Sequence, residues 1–148
     1  MTVAEMFESA GLKACGPVAW RTPVPAVRPG VYVVARTHDA SARRHRSEDV
    51  SHLPALLRNR WLPDELVLYI GCTVQPIQKR VAAFYDQCYG KKGPHAGGQQ
   101  LLMLRYSCPL WVYWSETNSE DPKRVESVMI QVFKARTGGR RPFANGRD

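Results

Sequence analysis

Four polar side chains sit where chemistry could be done. Tyr32 lies in Gly30-Val31-Tyr32 and Tyr69 in Tyr69-Ile70-Gly71, so each motif places a tyrosine beside a glycine at a strand end. Either motif alone reads equally well as core packing with the hydroxyl at the surface. Arg80 comes nine residues after Gly71, three past Ile77 and four before Phe84, at the edge of an apolar helical stripe. Glu126 stands beside Val125, three before Met129 and seven before Phe133, on the border of a second stripe. A helical Arg or Glu ordinarily occupies a solvated face, but a border position lets it lean across a sheet end. A free phenol has a pKa of about 10 and is a poor base near neutrality. A neighbouring cation favours its anion, which gives tyrosine and arginine a physical reason to share one site.

The elements that must carry these residues follow from periodicity and punctuation. Val31 to Ala35, Leu66 to Ile70 and Leu110 to Trp114 are short β-branched, apolar or aromatic runs, and they read as strands. Trp111, Tyr113 and Trp114 on the last run read as core packing, with base stacking the rarer use. A helix is expected after Thr73, which is placed to cap it, with Pro76 in its first turn and Ile77, Val81, Phe84, Tyr85 and Cys88 at helical spacing. Asp121-Pro122 opens another, striped by Val125, Val128, Met129, Val132 and Phe133 and stopped by Gly138-Gly139. Shorter helices are expected over 2–12, 50–60 and 99–106, and the prolines within 16–29 predict extended chain there. The expected architecture is α/β of the α+β type, a small three-stranded, mainly antiparallel sheet flanked by helices. One domain spans 1–148, with a core over 30–145, an N-terminal extension over 1–29 and an insertion over 37–65.

Taken in order, Gly30-Val31-Tyr32, Tyr69-Ile70-Gly71, a helical arginine, a glutamate on a later helix and Pro142-Phe143-Ala144-Asn145 resemble the GIY-YIG nuclease family over roughly residues 30–145. The resemblance implies a metal-dependent endonuclease that hydrolyses DNA, with Mg²⁺ or Mn²⁺ as cofactor. It implies that Glu126 holds the metal, Tyr32 serves as general base for water, and Arg80 meets the scissile phosphate. It further implies that Tyr69 positions water or phosphate and that Asn145 ties the C-terminal tail to the site. Two features depart from the family pattern. The segment 37–65 is long, and Lys79 rather than Arg80 occupies the commonest spacing from Tyr-Ile-Gly, so both cations stay in view. A compact chain with a long insertion and no appended DNA-reading domain resembles the restriction-type branch, acting on double-stranded DNA as monomer or homodimer. The alternatives are a catalytically silent DNA-binding module of the same fold and a basic nucleic-acid-binding protein of unrelated fold.

Composition agrees with a polyanionic partner. Lys and Arg total 21 against 13 Asp and Glu, a net charge of +8, and a small basic domain attracts nucleic acid before other polyanions. Arg43, Arg44 and Arg46 form a basic knot, read as phosphate-contacting or simply solvated. Lys91, Lys92 and His95 lie in a basic glycine loop, where His95 suits proton transfer, phosphate contact or an ordinary surface position. Cys15, Cys72, Cys88 and Cys108 match no zinc spacing and read as reduced, mostly buried thiols of a cytoplasmic protein. No apolar run is long enough to span a bilayer, and 1–11 lacks the pattern of a signal peptide.

Overall fold

The computed structural model describes residues 1–43, 48–86, 100–101, 103–104 and 108–146. Four antiparallel strands form one sheet in the order β1-β4-β2-β3: β1 (Cys15–Ala19), β2 (Gly30–Ala35), β3 (Val67–Thr73) and β4 (Trp111–Glu116). Helices α1 (Val3–Glu8), α2 (Ala55–Arg58), α3 (Ile77–Tyr85) and α4 (Pro122–Arg136) accompany it among the described residues. The class is mixed α/β, and the expected three strands become four.

The fourth strand is β1, which pairs with β4 through Cys15↔Trp114, Val18↔Val112 and Ala19↔Trp111. Pro17 lacks a ladder donor and lies where the register slips between Cys15 and Val18. The stretch expected to lead into the fold is therefore part of it. Residues 24–28 are also built in, because the α3 amides of Ile77 and Gln78 donate to the carbonyls of Arg28 and Ala26.

Strand alternation divides the core between the two sheet faces. On one face, Val31, Val33, Ala35, Val67, Ile70 and Tyr113 pack against α1 and α4. On the other, Tyr32, Val34, Leu68, Val112 and Trp114 pack with Ile77, Val81 and Phe84 of α3. A bulge opposite Val34 and Ala35 breaks the alternation in β3. It sets Leu68 and Tyr69 against the same cluster.

α1 begins with the capping box formed by Thr2 and Glu5 and is shorter than the expected 2–12. The helix expected over 50–60 shrinks to the single turn of α2, since Pro54 permits a start only behind it. Leu53 and Leu57 are buried there, whereas Leu56 is 74% exposed. Thr73 ends β3 and accepts from the Gln75 amide, so it shapes the turn ahead of α3 and does not cap the helix. Gln100, Leu101, Met103 and Leu104 are helical, as expected, and Leu101 and Leu104 are buried.

α4 follows its sequence signals at both ends. The Asp121 carboxylate accepts from the Lys123 amide, Pro122 takes the first turn, and Gly138 and Gly139 end it with positive φ. Val125, Met129 and Phe133 of the expected stripe are buried, and Glu126 and Ile130 share that side, whereas Val128 is 38% exposed. The buried side turns the Glu126 carboxylate toward the sheet.

No helix among the described residues is long and apolar enough to cross a membrane.

Candidate active site

Tyr32 and Gly71 are direct cross-strand partners, and Tyr69 faces Val34 one step along the same face. Glycine at 71 is what lets the phenols converge. A Cβ there would lie 2.6 Å from Tyr32 Cζ and 2.7 Å from Tyr69 Cε1, inside any tolerable contact. The rings sit 6.0 Å apart between centroids, and Phe84 of α3 stacks on Tyr69 at 5.0 Å and meets Tyr32 edge-on at 5.9 Å. Three aromatic rings thus gather the two phenols on one face of the sheet.

Arg80 lies one helical turn before Phe84 and reaches this group. It acts on Tyr32, Tyr69 and Cys72, whereas Lys79 on the same turn is exposed. The buried-stripe argument therefore identifies the inward cation better than family spacing does. The Tyr32 hydroxyl is buried without a partner of full hydrogen-bond geometry, and so is Arg80 Nε. Arg80 and the Tyr69 hydroxyl nonetheless lie near enough to favour a negative charge on the Tyr32 oxygen. Burial outweighs them, and the Tyr32 phenol is pushed above its ordinary range. Arg80 thus acts on Tyr32 in the direction expected of a neighbouring cation, but it does not overcome the burial. Tyr69 is also pushed up, first by burial, then by Tyr32 and Glu126, with Arg80 opposing.

Glu126 arrives from α4 on the opposite face. It is only 8% exposed and accepts an ion pair from Lys123 Nζ at 3.3 Å. Its field reaches Tyr69. Burial and a hydrogen bond to Glu126 push the Cys72 thiol up to about 12, so it is an unreactive neighbour. Arg80 and Glu126 hence approach from different faces and both act on Tyr69 and Cys72 of β3, the outer strand of the sheet.

Asn145 completes the edge. Its Oδ1 accepts from the Ile70 amide at 3.0 Å, its Nδ2 donates to the Ile70 carbonyl at 2.9 Å, and the Ala144 amide donates to Leu68 at 2.8 Å. The tail acts as a partial fifth strand and satisfies the β3 edge. This makes Asn145 a positioning residue for the segment between Tyr69 and Gly71, and it is buried, not an exposed loop asparagine.

The remaining candidates separate from this group. Arg43 pairs with Glu5 of α1 at 2.6 Å and is itself well exposed. Arg44, Arg46, Lys91, Lys92 and His95 lie outside the described residues, as does Cys88. Cys15, Cys72 and Cys108 are free thiols, but Cys15 is exposed, contrary to expectation. Lys123 was missed from sequence, although its i, i+3 spacing from Glu126 is the signal that finds it.

Among the described residues no group of three or more His, Cys, Asp or Glu converges as a metal cage. Glu126 offers one hard carboxylate, a donor set that suits Mg²⁺ or Mn²⁺, which keep several waters and take further oxygens from a phosphate. Comparison with protein-family models, curated proteins and solved structures finds no match.

Proposed function

We propose that this chain is a metal-dependent endonuclease of GIY-YIG type, hydrolysing phosphodiester bonds of double-stranded DNA. The observation that carries the reading is the meeting of Tyr32, Tyr69, Arg80 and Glu126 around β3, from four elements and both sheet faces. Residues this far apart in sequence have no packing reason to bring two phenols, a guanidinium and a carboxylate together.

In this reading Glu126, now paired with Lys123, would hold a divalent cation, which when bound would supply Lewis-acid polarisation of the phosphate and leaving oxygen. Arg80 meets the scissile phosphate through its guanidinium. Water forms the new P–O bond as the bridging P–O bond breaks. Its proton passes to the Tyr32 oxygen, and the departing oxygen takes a proton from solvent. Tyr69 holds water or phosphate by its hydroxyl. Because burial raises the Tyr32 pKa, the phenolate fraction grows about tenfold per pH unit through neutrality. The cleavage rate climbs accordingly, without a plateau below about pH 9.

The second reading is a silent DNA-binding module of the same fold, favoured by a Tyr32 hydroxyl that is fully buried. Single-turnover cleavage of labelled duplex with Mg²⁺ decides between them. Glu126→Ala and Tyr32→Phe are expected to slow the wild-type rate by roughly a thousandfold, the scale of losing one transition-state charge contact. Binding with no cleavage by the wild-type chain under Mg²⁺ or Mn²⁺ selects the silent module.

A further inference from the structure

Two ion pairs stand at the start of α4, and they differ in a way that helix stabilisation does not explain. Glu120 and Arg124 make an exposed i, i+4 pair at 3.9 Å, with the acid first and the base second. That order suits the helix dipole. Lys123 and Glu126 stand at i, i+3 in the reverse order. Lys123 also sits in the first turn, where the dipole disfavours a cation. The Asp121 carboxylate already caps that end by accepting from the Lys123 amide. Neither the order nor the position of Lys123 strengthens the helix, so the reason for its charge lies with its partner.

That partner needs a countercharge. The Glu126 side chain is 11% exposed against 64% for Lys123, so the ammonium meets a sunken carboxylate from the solvent side. The sheet gives the carboxylate the Cys72 thiol, a neutral donor, and the Tyr69 phenol, on which Glu126 acts. Neither group offsets its charge. Arg80 acts on Tyr69 and Cys72 from the opposite face, and Lys123 is the cation in direct contact, at 3.3 Å. A carboxylate this buried and left bare would work against folding.

We propose that Lys123 is the built-in counter-cation of the metal-binding carboxylate: it neutralises Glu126 until a divalent ion binds, and by competing for the same oxygen it sets the concentration at which the ion does so. This rests on the nuclease reading for the assignment of Glu126 as metal ligand. Lysine suits a displaceable occupant. Its ammonium makes a point contact at the end of a flexible stem, without the fixed fork of a guanidinium. Because the ammonium is largely solvated, the competition is modest in size.

Calorimetric titration of Mn²⁺ into the full chain, without DNA, measures this separately from cleavage. Lys123→Met is expected to tighten Mn²⁺ binding by roughly threefold to fivefold, the scale of one exposed ion pair. The charge-keeping Lys123→Arg should stay close to wild type, and Glu126→Gln should abolish the binding. Unchanged or weaker affinity in Lys123→Met overturns the proposal, and so does Mn²⁺ binding that survives Glu126→Gln. Should Lys123→Met fail to fold, Mg²⁺ added to the wild-type chain gives the answer. It should shift the Cε–H signals of Lys123 as the ammonium leaves Glu126, and their indifference to millimolar Mg²⁺ overturns the pairing role. The two readings fail separately. A chain whose Mn²⁺ affinity rises in Lys123→Met but which never cuts DNA keeps the counter-cation and loses the nuclease. One that cuts, with an affinity indifferent to Lys123, does the reverse.

Discussion

On one face of the sheet, Val31, Val33, Ile70, Met129 and Phe133 meet as apolar groups with nothing left to satisfy. On the other, Tyr32, Tyr69 and Phe84 are packed as tightly, yet the Tyr32 hydroxyl and Arg80 Nε are buried without a hydrogen bond of full geometry. A buried polar atom left short of its hydrogen bond works against stability. The contrast separates a face that supports from a face that is poised to receive something, and Glu126 is the point at which the supporting face contributes to the other.

Truncating the matched phenylalanines tests that division most strongly. Phe84→Ala and Phe133→Ala should each cost about 3–5 kcal/mol by chemical denaturation, since both rings are fully buried. Only Phe84→Ala should also lower cleavage per folded molecule, because only that ring touches the tyrosines. Equal activity per folded molecule in the two variants would erase the distinction.

A methyl group at Gly71 comes next. Gly71→Ala forces apart Tyr32 and Tyr69, so destabilisation of about 1–3 kcal/mol is expected together with a loss of cleavage. Wild-type melting and wild-type rate would show that the phenols need no such convergence. Asn145→Ala leaves the Ile70 amide and carbonyl unsatisfied and should cost about 1–3 kcal/mol, visible as faster hydrogen exchange at Ile70. Unchanged exchange there would remove the tail from the edge of β3.

The smallest effect is read against pH. Burial raises the folded pKa of Tyr32 and Tyr69 above the unfolded value of about 10. The folded state therefore keeps protons that the unfolded chain releases. This stabilisation is complete below about pH 10 and is lost as pH rises through the folded values, at up to about 1.4 kcal/mol per pH unit for each phenol. Tyr32→Phe should flatten the alkaline fall in unfolding free energy. An identical fall would mean that the phenol is as solvated when folded as when unfolded.

Local signals made much of this legible in sequence. Asp121-Pro122 and Gly138-Gly139 announced both ends of α4, and the apolar runs around Tyr32 and Tyr69 announced β2 and β3. β1 was hidden because its residues are mostly exposed or half-buried and interrupted by Pro17, so no alternation marks it. The stripe of α4 was legible through Val125, Met129 and Phe133, but Val128 and Val132 were added to it because their apolar side chains lie at its margin, where the fold leaves them exposed or half-buried. The approach of Arg141 to Arg60 could not be read at all, because the chain reversal after α4 and the docking of the tail on β3 bring the two together.

The central claim is that the residues gathered around β3 cut DNA with a divalent cation. Supercoiled plasmid incubated with the wild-type chain and Mg²⁺, beside a chelated control, tests it most directly. Nicked or linear product with Mg²⁺ and intact supercoils with chelator are the predicted result. Supercoils that remain intact under both Mg²⁺ and Mn²⁺, while the chain still retards the plasmid on a gel, would contradict it.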